Sequence, residues 1–435
     1  MNPTLSATTA PPANPFARRL LVSGSVVAIA GAAWLVDPLA DAAFDAPKRL
    51  AVLAGASLGV LGLAWGAAWP RWRCWSRHAW LMVAALVLLA AWLVVAAVAS
   101  VHADIACTAL RRILVCLMLI PIGASRALDG PGARLLFGAF ALACASNALF
   151  SLLQFGGLGL PFAVAQIGGR FQTGALLGNE GYVALASAML GAAGMAIVLG
   201  TRLRRERALG SALLAVAIAT IAANRQATSA VALLAAAGLL LAVRCGARRA
   251  VGAAFGLVAL GAISAAMPTL RAATWQRMPL DVQDVQRLTT FRLGAWVAAL
   301  DMARSRPWTG YGPGTFGAEQ QVHRFAVEVE TRERFVHPLG ATFVAAHDDY
   351  LQLAAEAGWP AVACALAALA AMLHGLVRRL ARAPTDLECG VLFGILVVGA
   401  IAALAWFPMQ IPLTAAVLLL AAGRAWRLIS RGDHP

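Results

Sequence analysis

The chain has 435 residues, of which 61% are hydrophobic and only 13% are charged, and its mean hydropathy is +0.76. A soluble domain carries about 25% charged residues, so this composition excludes an ordinary soluble globular protein. The net charge of +15 comes almost entirely from arginine, because Lys48 is the only lysine. The placement of these arginines, described below, indicates membrane topology and not a nucleic-acid partner.

The apolar residues form blocks close to the length of about 20 residues that crosses a bilayer as a helix. The runs are continuous and do not alternate, which predicts helices and not barrel strands. The sequence therefore predicts an all-α, polytopic integral membrane protein with about 12 transmembrane helices. The predicted blocks are 20–36, 50–69, 79–99, 106–124, 134–154, 181–200, 209–223, 227–243, 250–267, 359–377, 387–407 and 410–424.

Arginine is concentrated in every second link between these blocks. If each block crosses the membrane, twenty arginines of the links and tails lie on one side. The short links of the other side hold only Lys48, Arg49, Arg170 and Arg225. The positive-inside rule then places both termini in the cytoplasm and the long polar segment outside.

This topology divides the chain into five parts. Residues 1–17 form a disordered cytoplasmic tail, 18–267 hold helices 1–9, 268–350 form one long outer segment, 351–426 hold helices 10–12, and 427–435 form a second tail. The first block follows Arg18 and Arg19 and could be a signal peptide, but its apolar run is longer than usual for a cleaved signal. We expect it to be retained.

The outer segment is the one long polar interruption of the chain, and loops of this length are usually functional. Residues 281–304 carry apolar side chains at helical spacing, and Pro307 ends the pattern, so we expect an amphipathic helix on the membrane or over the bundle. Arg292 falls on the apolar stripe of this helix. It is either a snorkelling anchor or a contact for an anion.

Two further features of the segment have simple structural interpretations. Gly310–Gly314 superficially suggests a nucleotide loop, but no strand precedes it, so we predict a tight turn. His323 and His337 lie in a stretch of mixed charge, which predicts a solvated face. His337 is kept as a reserve candidate for catalysis. None of the seven cysteines lies in the outer segment, so neither a disulfide framework nor a cysteine metal site is expected there.

His347 is the most prominent candidate for chemistry. It starts a helical pattern that leads into the next predicted span, so we expect it in the first turn of that helix, near the outer membrane surface. A histidine can take a proton at neutral pH, and Asp348 or Asp349 could orient its ring. The alternative is an interfacial histidine that caps a helix.

Several arginines lie where positive charge is disfavoured. Arg225 occupies the shortest outer link, and Arg170 lies in the outer link before Asn179. Each could anchor at lipid headgroups, yet arginine is also the side chain best suited to bidentate phosphate recognition. Arg111 and Arg112 lie inside the fourth block, where ionisable residues are candidates for function, although snorkelling explains them equally well.

Taken in order, these motifs resemble a known family. Asn224-Arg225-Gln226, Phe291-Arg292-Leu293-Gly294, Pro307-Trp308-Thr309-Gly310-Tyr311-Gly312-Pro313-Gly314, His347-Asp348-Asp349-Tyr350 and Glu356-Ala357-Gly358 are similar to the shared domain of O-antigen ligases, O-antigen polymerases and bacterial O-linked oligosaccharyltransferases. The resemblance covers roughly residues 220–365. One departure is Asp348, where relatives often carry Asn or Ser, and this puts a carried-over role for that side chain in doubt.

The resemblance implies a GT-C-like glycosyltransferase that needs no cofactor. It implies a donor glycan linked to undecaprenyl diphosphate, a lipid A–core acceptor, membrane lipids as partners, and a site on the periplasmic face of the Gram-negative inner membrane. It further implies that His347 is the general base and that Arg225 and Arg292 contact the diphosphate. Arg170 is a third candidate for this contact because of its place in an outer link. The outer links contain no Asp/Glu-rich metal motif, which favours a metal-independent reaction. A direct displacement would invert the anomeric centre.

The residues leave several functions open. An O-antigen ligase is the first choice, and an O-antigen polymerase, which would use a second lipid-linked glycan as acceptor, is the nearest alternative. An O-linked protein oligosaccharyltransferase is the third. A lipid-linked oligosaccharide transporter is the non-enzymatic alternative, but the spans hold few ionisable residues and no paired broken helices.

Overall fold

The computed structural model describes residues 14–40, 42–66, 75–160, 172–245, 286, 291–335 and 342–430. Within these ranges the chain forms fourteen α-helices and no strand. They are α1 Pro15–Trp34, α2 Ala46–Ala64, α3 Arg77–Val98, α4 Ala103–Leu117, α5 Leu119–Ala124, α6 Pro131–Phe155, α7 Glu180–Gly200, α8 Arg204–Ala223, α9 Ala227–Cys245, α10 Leu293–Ser305, α11 Phe316–Thr331, α12 Asp349–Arg382, α13 Leu387–Ala402 and α14 Pro412–Ser430.

The predicted fold class is confirmed. In the described ranges, ten helical stretches are long and apolar enough to cross a membrane, α4 and α5 together counting as one, and α13 is a shorter apolar helix of 16 residues. The predicted block 250–267 lies outside the described residues. Of the predicted amphipathic helix 281–304, the described part is α10, which begins at Leu293.

Small residues bring the helices into close contact. A Cβ atom on Gly24 of α1 would come within 2.5 Å of the Gly55 carbonyl oxygen of α2, and one on Gly194 of α7 within 2.6 Å of the Gly210 oxygen of α8. In a bilayer the hydrophobic effect does not drive helices together, so close backbone approach and the resulting van der Waals contact stabilise the packing.

The bundle has two ends with different chemistry. At the first, which we call the arginine-rich end, α14 meets the α5–α6 link and the start of α13. There Arg424 donates to Glu388 at 2.7 Å and to Asp129 at 3.1 Å, and Arg427 donates to Asp129 at 2.9 Å. These basic side chains are neutralised by carboxylates on neighbouring helices.

At the opposite end, the outer segment is fastened to a break in α12. Gly358 has φ +78° and ψ 171°, which ends one helix and starts another. The freed backbone groups pair with the loop after α10, because the Trp359 N–H donates to the Pro307 oxygen at 2.9 Å and the Tyr311 N–H to the Ala355 oxygen at 3.0 Å. This docking fixes α10 above the start of α12.

Candidate functional site

The link between α13 and α14, residues 403–411, lies at the centre of this end of the bundle, which we call the site end. The Asp349 N–H donates to the Ala403 oxygen at 3.0 Å, and the Asp349 carboxylate accepts from the Met409 N–H at 2.9 Å. The Gln410 side chain donates to the Gln352 side chain at 2.6 Å. The start of α12 therefore holds both halves of this link.

The link carries Trp406, against which two of the predicted site residues pack. The Arg292 guanidinium lies over the indole at 4.2 Å from the ring centroid and donates to the Ala405 oxygen at 2.9 Å. The His347 ring lies 5.5 Å from the same indole and 4.7 Å from the Phe407 ring, edge to face. The structure thus brings Arg292 and His347 together on one aromatic surface.

The backbone at His347 differs from the prediction. The first helical residue of α12 is Asp349, so His347 lies just before the helix and not in its first turn. Its φ of +56° is left-handed, a conformation that most side chains avoid. Strained residues of this kind collect at functional sites. The left-handed turn, and not helical periodicity, directs the imidazole toward Phe407.

The two aspartates after His347 have structural partners. Asp348 is the N-cap of α12, because its side chain accepts from the Leu351 N–H at 2.8 Å. Burial raises the pKa of the Asp348 carboxyl above its ordinary value, and the bond from Leu351 partly opposes this. Asp349 faces the 403–411 link as described above. Whether either carboxylate orients the His347 ring stays a prediction.

Arg225 occupies the turn between α8 and α9 at the site end. It has φ +51° and is exposed, and in the described ranges its side chain makes no hydrogen bond or ion pair. Its neighbour Asn224 is buried and is bonded to Ser151 at 2.9 Å and to Thr173 at 2.7 Å. The turn is therefore fixed to the segment that precedes α7, while the guanidinium points into solvent.

The remaining candidates are not part of this group. Arg170 and His337 lie outside the described residues. Arg111 and Arg112 are on α4 and are exposed, and the Arg111 Nε donates to the Cys107 oxygen of its own helix at 3.2 Å. This contact is compatible with the snorkelling interpretation.

The expectation of a solvated face at His323 is wrong. His323 is 9% exposed, its Nδ1 lies 2.7 Å from the Asp301 carboxylate, and its ring packs edge to face on Tyr311. α11 lies against α10, and this packing, which local charge does not reveal, buries one side of the mixed-charge stretch.

The glycine-rich loop forms the predicted tight turn. Gly310, Gly312 and Gly314 all have positive φ. The backbone N–H groups of Gly314 and Phe316 point at the Glu356 carboxylate, at 2.7 and 3.3 Å. A carboxylate of the chain itself thus takes the position that a phosphate would occupy in a nucleotide loop.

A cavity of about 290 Å³ adjoins the aromatic group. Its lining includes Lys48, Asp45, Asn179 and Tyr182, and Tyr182 also packs edge-on against Phe407 at 6.0 Å. Lys48 is only 2% exposed and donates to the Leu35 oxygen at 2.6 Å. The cavity is therefore lined by the buried Lys48 side chain and by Tyr182, whose ring packs on Phe407 as the His347 ring does.

Four of these residues were not predicted from the sequence. Three of them are aromatic residues of the apolar blocks, where an aromatic side chain does not by itself indicate a functional site: Tyr182, Trp406 and Phe407. Lys48 is a basic residue in an outer link, but the charge pattern alone does not distinguish a lysine that lines a buried cavity from one at the membrane surface. Among the described residues, no group of three or more His, Cys, Asp or Glu side chains is arranged to hold a metal ion.

The geometry combines a fixed cation with a titratable base at one end of a membrane bundle. Residues 212–366 match the family model described as O-Antigen ligase. This range includes Arg225, Arg292 and His347, whereas Trp406 lies beyond it. No curated protein matches the chain.

Proposed function

Since this chain is a member of the O-antigen ligase superfamily, we propose that it transfers O-antigen polysaccharide from undecaprenyl diphosphate to a sugar hydroxyl of lipid A–core. The observation that carries the proposal is the meeting of Arg292 and His347 on the Trp406 ring. Both residues lie in the matched range, and together they supply the two kinds of group that the reaction needs.

The first need is a site for the donor diphosphate. Breaking the bond between the sugar and the diphosphate leaves additional negative charge on the leaving group, and guanidinium groups fixed in advance stabilise that charge. In our proposal Arg292 and Arg225 bind the diphosphate through paired N–H donors, with Arg170 as a third contact. The cavity lined by Lys48 supports this proposal, because it offers space next to the same aromatic group.

The second need is a base for the acceptor. His347 takes the proton of the attacking hydroxyl, the hydroxyl oxygen bonds to the anomeric carbon, and undecaprenyl diphosphate leaves with the electron pair of the broken bond. A single displacement inverts the anomeric configuration. General-base catalysis of this kind contributes about 10²- to 10⁴-fold to the rate. The guanidinium groups carry the charge stabilisation that a metal supplies in other enzymes.

The third part of the proposal is the orientation. The arginine-rich end faces the cytoplasm and the site end faces the periplasm, because positive charge is retained on the cytoplasmic side. Both termini are then cytoplasmic, and the protein is a multi-pass, GT-C-like enzyme of the inner membrane. In this orientation the outer segment that is fastened at Gly358 lies on the periplasmic side.

The test is a transfer assay with purified full-length protein, lipid-linked O-antigen and lipid A–core, together with lipopolysaccharide gels of a strain that lacks the gene. A ligase yields polymer joined to core in the assay, and its loss leaves bare core while polymer accumulates on the carrier. Core with one repeat would instead indicate a polymerase. Loss of glycoproteins would indicate a protein oligosaccharyltransferase, and donor trapped on the cytoplasmic leaflet would indicate a transporter.

A further inference from the structure

We propose that Trp406 is a positioning residue that sets the distance between the Arg292 guanidinium and the His347 imidazole. This inference rests on the proposed function, because it concerns the same two groups. It assigns to the α13–α14 link, which lies beyond the matched range, a part in the transfer reaction.

The first support is the arrangement around the indole. The Arg292 guanidinium lies 4.2 Å from its centroid, and the His347 ring lies 5.5 Å away, so one rigid plane touches both. A cation above an aromatic face is held without being neutralised by that contact. Trp406 can thus fix the direction of the guanidinium without itself cancelling its charge.

The second support is that Trp406 itself is immobilised. It is 4% exposed and stacks on Phe407 at 4.8 Å, and Tyr182 packs against its edge at 6.5 Å. A Cβ atom on Gly181 would come within 2.6 Å of the indole, so the start of α7 is in contact with the ring. Because the Trp406 ring cannot move freely, it restricts the positions of the Arg292 guanidinium and the His347 ring that pack on it.

The third support is the link that carries the ring. The Ala405 oxygen accepts from Arg292, and the Ala403 oxygen accepts from Asp349, two residues after His347. The backbone on the N-terminal side of Trp406 is therefore bonded to the chain segments that carry both functional groups. The Trp406 indole and the backbone of its link therefore both hold Arg292 and the segment that carries His347 in place.

The chain offers a matched control in Trp426. It is 6% exposed, so both tryptophans are buried to a similar extent, and within the described residues neither indole N–H has a hydrogen-bond partner. Trp426 packs on Trp75 near the arginine-rich end. Replacing either tryptophan by leucine removes a comparable buried ring, but only one of them contacts the site.

The experiment compares Trp406→Leu, Trp406→Phe and Trp426→Leu in the transfer assay, with thermal melting to establish that each is folded. We expect Trp406→Leu to lower kcat by about 10- to 30-fold, the upper range of a desolvated cation–π contact, with a smaller change in acceptor KM. Its kcat–pH profile should also shift, because the surroundings of the base change. Trp406→Phe retains an aromatic face and should lose no more than about threefold.

Gly181→Ala gives a second variant, which keeps Trp406 but shifts its indole ring through the added methyl group. The steric contact of the new methyl group opposes the better helix propensity of alanine, so thermal melting establishes that this variant is folded. Its kcat should nevertheless fall. Unchanged kcat and pH profile in Trp406→Leu, or an equal loss in Trp426→Leu, would overturn the inference.

A fluorescence measurement separates this inference from the proposed function. The difference in emission between wild type and Trp406→Phe isolates Trp406 from the other tryptophans. Protonated imidazole quenches nearby indole emission, so this difference should titrate with pH and should lose its titration in His347→Gln. Absence of the titration contradicts the contact. If the wild-type protein shows this titration but transfers no glycan, the contact between Trp406 and His347 is supported and the ligase function is refuted.

Discussion

The two ends of the bundle hold their arginines in different ways. At the arginine-rich end, Arg424 bonds to the carboxylates of Glu388 and Asp129 on neighbouring elements. At the site end, Arg292 lies on an aromatic face and donates to a carbonyl oxygen, and Arg225 extends from a left-handed turn into solvent. Arg424 is thus held by carboxylates of the chain, whereas Arg292 is held against an aromatic face and a carbonyl oxygen.

The difference separates two uses of a guanidinium. A carboxylate partner cancels the charge, and removing one member of such a pair leaves a buried charge behind, which costs stability. An aromatic face and a carbonyl oxygen hold the group in place and carry no net charge that would cancel its own. We therefore expect substitutions at the site end to change catalysis and substitutions at the arginine-rich end to change stability.

The largest expected effect is that of His347→Ala. Removal of the general base should lower transfer by about 10²- to 10⁴-fold, while the protein keeps its abundance and melting temperature. The measurement is kcat of the purified variant with lipid-linked donor and lipid A–core. His374→Ala is the matched control, because His374 is an exposed histidine far along α12 from the site. Full activity in His347→Ala would move the base elsewhere, with His337 as the next candidate.

The second effect is that of Arg292→Ala. Hydrogen bonds to charged groups contribute about 1.5–3 kcal/mol, so kcat/KM should fall by roughly 10- to 100-fold. Arg292→Lys should recover little of this, since an ammonium cannot form the paired contact of a guanidinium. Arg304→Ala, an exposed arginine on the same helix, should transfer normally. Full recovery by lysine would argue for a point charge and against a bidentate contact with the diphosphate.

Arg225 allows a sharper separation of stability from function. Arg225 and Arg332 are both exposed arginines with positive φ at the end of a helix, a position that glycine favours. Glycine at either position should relieve backbone strain and raise the stability by roughly 0.5–1 kcal/mol. Only Arg225→Gly should also lower donor affinity, by about tenfold.

Thermal melting and the donor KM of the two glycine variants decide this prediction. If Arg225→Gly and Arg332→Gly behave alike in both measurements, Arg225 has no part in donor binding. A loss of stability in Arg225→Gly would instead show that the guanidinium stabilises the turn.

The fold could be predicted from the sequence because its signals are long and repeated. Apolar blocks of bilayer length and arginines in alternate links agree with each other over the whole chain, and the bilayer admits few other solutions. Arg292 and His347 were visible for a related reason. Each is a polar residue at a position where burial or the membrane surface makes its presence costly.

What the sequence could not provide depends on tertiary contact. Trp406 lies in an apolar block, and only the folding of the α13–α14 link over the start of α12 makes it a partner of Arg292. His323 is surrounded in sequence by charges, and the packing of α11 on α10 buries it beside Asp301. The left-handed turn at His347 likewise follows from docking and not from local propensity.

Arg424→Ala tests the comparison from the other end. Arg424 is 4% exposed and bridges Glu388 and Asp129, which are only partly buried. Its loss should lower stability by roughly 1–3 kcal/mol, less than for a fully buried pair, because solvent screens the two carboxylates. The kcat of the folded fraction should not change. A large drop in kcat at unchanged melting temperature would remove the distinction between the two ends.

The smallest expected effect is that of a chelator, which should leave transfer unchanged. If guanidinium groups at the site end stabilise the departing diphosphate, then no divalent ion is needed for that charge. The assay should therefore give the same kcat with excess EDTA as with added Mg²⁺, in wild type and in Arg304→Ala alike. Inhibition by EDTA that Mg²⁺ reverses would assign the leaving-group charge to a metal, and Arg292 would then be left with a role in orienting the donor.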